Sequence, residues 1–279
     1  MSESRILYTP RQHKRKQKKF SKKKLYIVRA FVGFVAFLAV CISMVRLSYF
    51  QLQKITVNGN GTEQDAHELE TAIQNALSGN YALVIPKRFI FGVSAQYLAE
   101  RLAAVLPRFE TITVARQFPH AISVSYTKRT FFALLCNGAA QSDTHSCGYI
   151  DHTGFVYEDA PEASGSLIVK ITSDLSEVKV GTRAIDESTT RQMALFGGGL
   201  QRIAGLRLTA YGLDSKAPDE FRMRVAEGFT LIVQKDGNPE TVLHILRTVL
   251  DQEIKDKKPQ IDYIDLRLGN KVFYKFKKT

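Results

Sequence analysis

Hydrophobic and polar positions change their period several times along this 279-residue chain. The first run, LYIVRAFVGFVAFLAVCISMV from Leu25 to Val45, is apolar throughout except for Arg29. Its uninterrupted core, Ala30 to Val45, approaches the roughly 20 residues a membrane helix needs once Arg29 snorkels from its edge. Beyond residue 50 strand and helix periods take turns. In LQKITVNGN, Ile55 and Val57 mark a strand with a turn at Asn58-Gly59. From Glu63 to Leu77, the apolar positions Leu69, Ile73 and Leu77 fall on one helical face. A short apolar stretch, NYALVIPKRFIF, follows. Ser94 is placed to N-cap a second helix that buries Leu98, Leu102, Val105 and Leu106 and stops at Pro107. Ile112 and Val114, then Ile122, Val124 and Tyr126, mark two strands separated by QFPH. Strand, helix, helix, strand, strand is the order of a compact α+β unit.

The remainder repeats these signals in a second block. Glu187 to Ile203 has helical spacing, although Gly197-Gly198-Gly199 is poor for a helix by propensity. FRMRVAEGFTLIV, Phe221 to Val233, predicts a hairpin turned at Glu227-Gly228. Asn238-Pro239 opens a helix with Pro at its favoured first position, and Val242, Ile245, Leu246, Val249 and Leu250 face inward. The last nineteen residues alternate twice, at Ile264, Leu266 and Leu268 and again at Val272, Tyr274 and Phe276, around Gly269-Asn270. That predicts a terminal hairpin, with Gly suiting a type II′ turn. Its final strand is partly apolar on both faces, so it lies inside a sheet or is built to pair.

Charge changes the picture at one end only. Residues 1–46 hold twelve Lys/Arg against the single acid Glu3, so eleven of the twelve net positive charges of the chain lie there. A nucleic-acid-binding body keeps its basic patch on the folded part, so that class is set aside. The basic block PRQHKRKQKKFSKKK precedes the apolar run, and the positive-inside rule puts residues 1–24 in the cytoplasm, a span at 25–46, and the rest outside. A cleaved signal peptide is the competing reading, but RLSYFQLQ after the run offers no small-x-small cleavage site. Cys136 and Cys147 bracket the polar stretch NGAAQSDTHS. Outside the cytoplasm a disulfide there is allowed, and two free buried thiols are the other reading.

Candidate chemistry is sparse. None of the six His falls at metal-ligand helical spacing, and Asp143, His145 and Cys147 are the closest approach to a cluster. Asp151 and His152 read as turn residues. Gly197 to Gly199 sits within a helical pattern and not after a strand, so it is no phosphate loop, and no nucleophile elbow occurs. Asp262 and Asp265 point to opposite faces of a strand and cannot act as an acid and base pair. The expectation is a non-enzymatic protein with no metal and no cofactor.

Several landmarks, taken in order, resemble the FtsQ/DivIB family of bacterial cell-division proteins. ITVNGN (Ile55 to Asn60) is similar to the first strand of the family's POTRA domain, and FETITVARQFPHAISVSYTKR (Phe109 to Arg129) to its last two strands with an aromatic-Pro turn. GYIDHTGFVYED (Gly148 to Asp159) is similar to the Asp-x-x-Gly-x-aromatic strand-turn-strand that follows, and YIDLR (Tyr263 to Arg267) to the closing signature. The family's Glu-Arg-x-Pro-x-Ala is not reproduced, because Lys128-Arg129-Thr130-Phe131-Phe132-Ala133 lacks the Glu and the Pro. The resemblance implies a POTRA domain at 50–135 and, at 136–279, a mixed α/β domain whose mainly antiparallel sheet ends in a C-terminal edge strand. It implies a divisome scaffold in the cytoplasmic membrane at the division site. Its partners would be single-pass proteins like FtsB (DivIC) and FtsL. The implied partner-binding residues are Lys271, Val272, Phe273, Tyr274, Lys275 and Phe276, with Arg267 of the signature. On residues alone, Lys271, Lys275, Lys277 and Lys278 read as gatekeepers that prevent edge pairing. An alternative within the same non-enzyme class is a POTRA protein that binds exported polypeptides during envelope assembly. A wall hydrolase finds no support in the spacing.

Overall fold

A computed structural model describes residues 22–81, 85–138, 146–161, 168–174, 178–269 and 271–277, and it shows a mixed α/β protein led by an apolar helix. Helix α1 spans Lys22–Arg46. Its stretch Tyr26–Met44 is long and apolar enough to cross a membrane, and none of it is buried against the rest of the chain.

The first folded unit contains β1 (Lys54–Gly59), α2 (Glu63–Ala76), the two-residue strands β2 (Asn80–Tyr81) and β3 (Ile85–Pro86), α3 (Ala95–Val105), β4 (Phe109–Gln117) and β5 (Ala121–Lys128). Its sheet has the order β1-β5-β4, with β1 parallel and β4 antiparallel to the central β5. Leu69 and Ile73 of α2 and Leu98 and Leu102 of α3 bury against Ile122, Val124 and Phe109. Ser94 caps α3 as its sequence predicts, accepting from Tyr97 N. Val105, expected on the buried side, is 64% exposed. It is the last residue of α3, and the chain unwinds at Leu106, whose own side chain takes the buried place. α2 starts with a capping box that the hydrophobic pattern does not reveal. Thr62 Oγ1 accepts from Asp65 N, and Asp65 Oδ2 accepts from Thr62 N at 2.8 Å. Asp65 is buried. Burial alone would raise its pKa, but the bonds from Thr62 and the Lys128 ammonium 2.9 Å away outweigh it and hold the carboxyl at about 2.

The second sheet has nine strands in the order β14-β13-β12-β11-β10-β9-β6-β7-β8. Those not yet placed are β6 (Ala133–Asn137), β7 (Cys147–Ile150), β8 (Val156–Ala160), β9 (Lys170–Ser173), β10 (Leu208–Leu213), β11 (Glu220–Val225), β12 (Thr230–Gln234), β13 (Ile261–Leu268) and β14 (Lys271–Phe276). Five pairings are antiparallel; β6–β9, β9–β10 and β12–β13 are parallel. β9 and β10 are absent from the strands that the sequence pattern predicts. Because β6 starts at Ala133 and joins this sheet, the expected break at residue 135 falls inside a strand, and 129–132 is the link between the sheets.

Helices α4 (Glu187–Gly199) and α5 (Pro239–Val249), each prolonged by a π-helical turn, cover one face of this sheet. Asn238 caps α5 by accepting from Thr241 N, with Pro239 at the first position. Met193, Phe196, Leu243 and Leu246 pack on Tyr211, Phe221, Leu231 and Ile264. Phe196 and Tyr211 both meet Phe221 edge-on, at 5.6 and 6.0 Å between ring centres. Two of the three glycines of α4 find their reason here; nothing packs against Gly198. A β-carbon at Gly197 would lie 2.3 Å from the Tyr211 hydroxyl, and one at Gly199 2.5 Å from Leu243 Cδ1. Close packing of α4 on β10 and α5 thus outweighs a helix-propensity cost of about 1 kcal/mol per glycine.

Candidate interaction edge

The terminal hairpin forms as predicted. β13 and β14 pair antiparallel, Ile264 opposite Tyr274 and Asp265 opposite Phe273, and Gly269 takes the positive φ of +62° that the turn demands. Asn270 of the turn and Lys278 lie outside the described residues. β14 is one edge of the nine-stranded sheet. Among the described residues its backbone is bonded to β13 and, through Lys277 N to Gln260 O at 2.7 Å, to the residue before β13. Among the described residues there is no further strand beyond β14.

The side chains of this edge divide by face. Ile261 and Ile264 are buried under the helices, and Val272 packs against the same core, so the strand is anchored from within. Tyr274 and Phe276 share the helix-covered side, meet edge-on at 5.6 Å, and stay 40% and 38% exposed. Phe273, on the open face of the sheet, is 53% exposed. Lys271 is exposed. Lys275 reaches Asp262 at 3.5 Å and stands over the Tyr263 ring, while Lys277 Nζ donates to Pro259 O. Leu268, expected to continue the apolar row of β13, is 57% exposed at the hairpin tip.

Arg267 has a different setting from the residues it was grouped with. Its Nη1 donates to Glu220 on β11 at 2.6 Å, and its Nε and Nη2 donate to Asp265 at 2.9 and 2.6 Å. The guanidinium thereby ties β13 to β11 across β12. The Arg267 bonds, working against burial, hold the Asp265 carboxyl below its ordinary range, and the two carboxylates raise the guanidinium's pKa.

The opposite edge, β8, is engaged at its first residue by its own chain. Val156 N donates to Thr182 O and Val156 O accepts from Gly181 N, at 2.9 and 2.8 Å. The turn before it, Asp151 to Phe155, has Gly154 at φ +76°, and Gly154 O accepts from Ala184 N. Asp151 is more than a turn residue. One oxygen accepts from Thr153 N, Thr153 Oγ1 and Phe155 N, and the other accepts from Arg129 Nη1 at 2.6 Å. Burial alone would raise its pKa, but these bonds hold it below the usual carboxylate range. Arg129 also donates to Pro107 O and lies over the Phe155 ring at 4.0 Å, so it joins the first unit to the second. No local period places Arg129 against Asp151; only their types, a basic residue after β5 and an Asp in a turn, are legible in sequence.

Cys136 and Cys147 form a disulfide across the β6–β7 pair, with Cα atoms 4.2 Å apart, which decides between the two readings of these thiols. Asp143 and His145 lie outside the described residues. Among the described residues no group of three or more His, Cys, Asp or Glu is placed to hold a metal ion.

No known family model matches this chain, and no curated protein matches it either.

Proposed function

We propose that this protein is a single-pass, N-in membrane scaffold of the FtsQ/DivIB type. It would hold FtsB-like and FtsL-like division proteins on the outer side of the membrane and link them to septal wall synthesis. The observation that carries the reading is the open edge at β14, where three partly exposed aromatics and two lysines line a strand that, among the described residues, is paired on one side only. A partner segment adding there as a further strand would gain main-chain hydrogen bonds, and it would bury Tyr274 and Phe276, residue types that dominate such interfaces. Lys271 and Lys275 favour an acidic segment. Three further features support the assignment. The β1-α2-α3-β4-β5 unit, with β1 parallel to β5, has the element order of a POTRA domain. The apolar helix precedes it. A disulfide in the second unit suits an extracytoplasmic compartment. The mechanism is binding, with no bond made or broken.

The test is an N-terminally fluorescent full-length chain in dividing cells, compared with Tyr274→Ala/Phe276→Ala, with recruitment of the FtsB-like protein followed in each. Midcell gathering of both chains, with the partner lost only in the variant, is the expected result. An even distribution around the envelope overturns the division reading in favour of envelope assembly. Full recruitment by the variant overturns the edge.

A further inference from the structure

A second exposed aromatic surface lies far along the chain from β14. Tyr49 and Phe50, just past the end of α1, meet edge-on at 5.2 Å. Phe50 then touches Phe91 at 6.0 Å, Phe91 touches Phe89 at 5.5 Å, and Phe91 touches Phe118 at 5.3 Å. Three separate segments are brought together by backbone bonds. Ile90 N donates to Phe50 O, Leu52 N to Arg88 O, and Gln53 N and Lys54 N to His120 O. Tyr49, Phe91 and Phe118 remain 60%, 57% and 58% exposed. Single exposed apolar residues need no explanation, but a contiguous patch marks an interaction surface.

Its place in the fold says what the surface meets. α1 ends at Arg46, three residues before Tyr49, and it lies beside β3, the strand that leads into Phe89 and Phe91. The cluster is therefore at the level where the apolar helix gives way to the folded unit. The contributing segments, residues 47–62, 78–99 and 111–138, contain no Asp or Glu, and they carry Lys54, Arg88 and Arg116, all exposed. Glu70 of α2 shares a hollow with Arg88. Aromatic rings favour the headgroup level of a bilayer, and basic side chains beside them favour anionic lipid. We propose that the Tyr49–Phe50–Phe91–Phe118 cluster inserts into the headgroup–acyl boundary of the leaflet that α1 exits. It would seat the first unit on the membrane surface and set the direction in which the second unit and its β14 edge project. This rests on α1 spanning the bilayer, as the proposed function does.

The chain has no Trp, so a single introduced Trp reports its own depth. Full-length F118W, F91W and, as the reference inside α1, F34W are each reconstituted into vesicles of phosphatidylcholine and phosphatidylglycerol. The lipids are brominated either near the headgroup end of the acyl chains or near their methyl end. The expected result is blue-shifted emission from F118W and F91W, quenched more by the shallow bromines than by the deep ones, with F34W showing the reverse order. In F118W/F91S the shallow quenching should be lost and the emission red-shifted. Quenching of F34W with none of F118W or F91W leaves the anchor standing and overturns the seated patch, assigning those rings to water or to a protein. Absence of quenching in all three overturns both.

Discussion

At one end of the nine-stranded sheet, both backbone groups of Val156 in β8 are taken by Gly181 and Thr182 of the chain's own loop; at the other, β14 has β13 on one side and, among the described residues, no strand on the other. The closed end is held by backbone bonds, a disulfide between β6 and β7, and the partly buried Arg129–Asp151 pair. The open end is held from within by Val272 and by the Arg267 bridge from Asp265 to Glu220. Side-chain character follows. Beside Val156, Tyr157 and Ala160, β8 carries Glu158 and Asp159, and β14 keeps Phe273, Tyr274 and Phe276 partly exposed between lysines. An edge that is only to be protected needs charge and no rings. Aromatics left partly in water on an edge strand favour the proposed reading of a surface that a partner completes. On that reading the lysines would serve both states, deterring self-pairing and drawing an acidic segment.

The comparison can be broken most sharply at Gly154. A β-carbon there would stand 2.0 Å from Ile185 O, at a φ only glycine adopts without strain. Gly154→Ala should cost about 3–4 kcal/mol and release the loop that closes β8, read as a fall in Tm with raised amide exchange at Val156. Cys136→Ala/Cys147→Ala removes the short disulfide loop of the closed end. It should lower stability by about 2–3 kcal/mol while leaving partner binding at β14 unchanged, seen by denaturant titration beside a pull-down.

Tyr274→Ala/Phe276→Ala should do the opposite. Binding of the acidic partner falls by about 2 kcal/mol, roughly 30-fold in Kd, and Tm barely moves because both rings are already partly in solvent. The smallest effect is expected at the Arg267 bridge. The Asp265 carboxyl is held low by Arg267, so its contribution to stability is complete above its unfolded pKa near 4 and is lost as pH falls through the lower folded value. Asp265→Asn should therefore be less stable than the parent at pH 7. The gap in Tm should close below about pH 4, and a gap independent of pH would remove the ionic account of the open end.

Much of this architecture is legible in local sequence. The hairpins at Glu227-Gly228 and Gly269-Asn270, the Ser94 and Asn238 caps and the buried row of α2 follow from spacing within a few residues. In α5 so do Val242, Leu246 and Leu250, although the fully buried Leu243 is not expected and Ile245 is only half-buried. β9 and β10 escape because a four-residue strand and one that carries Gly212 show too few alternating positions to stand out. Gly197 and Gly199 of α4 read as defects until Tyr211 and Leu243 are set beside them. Val105 is misjudged because α3 ends there and the unwound chain buries Leu106 instead.

The sequence by itself determined the periods, the turns, the caps, the apolar helix and the chemical character of the terminal strand, since each of these depends on neighbours within one or two turns of chain. Only the tertiary structure decided that β14 is an edge while β8 is covered, that Arg267 is held by Glu220 and Asp265, that Arg129 meets Asp151, and that four aromatic rings from three segments converge beside α1. Those relations join residues far apart in the chain. Strand order and long-range contacts arise from how whole faces are buried together, and local spacing does not carry that information.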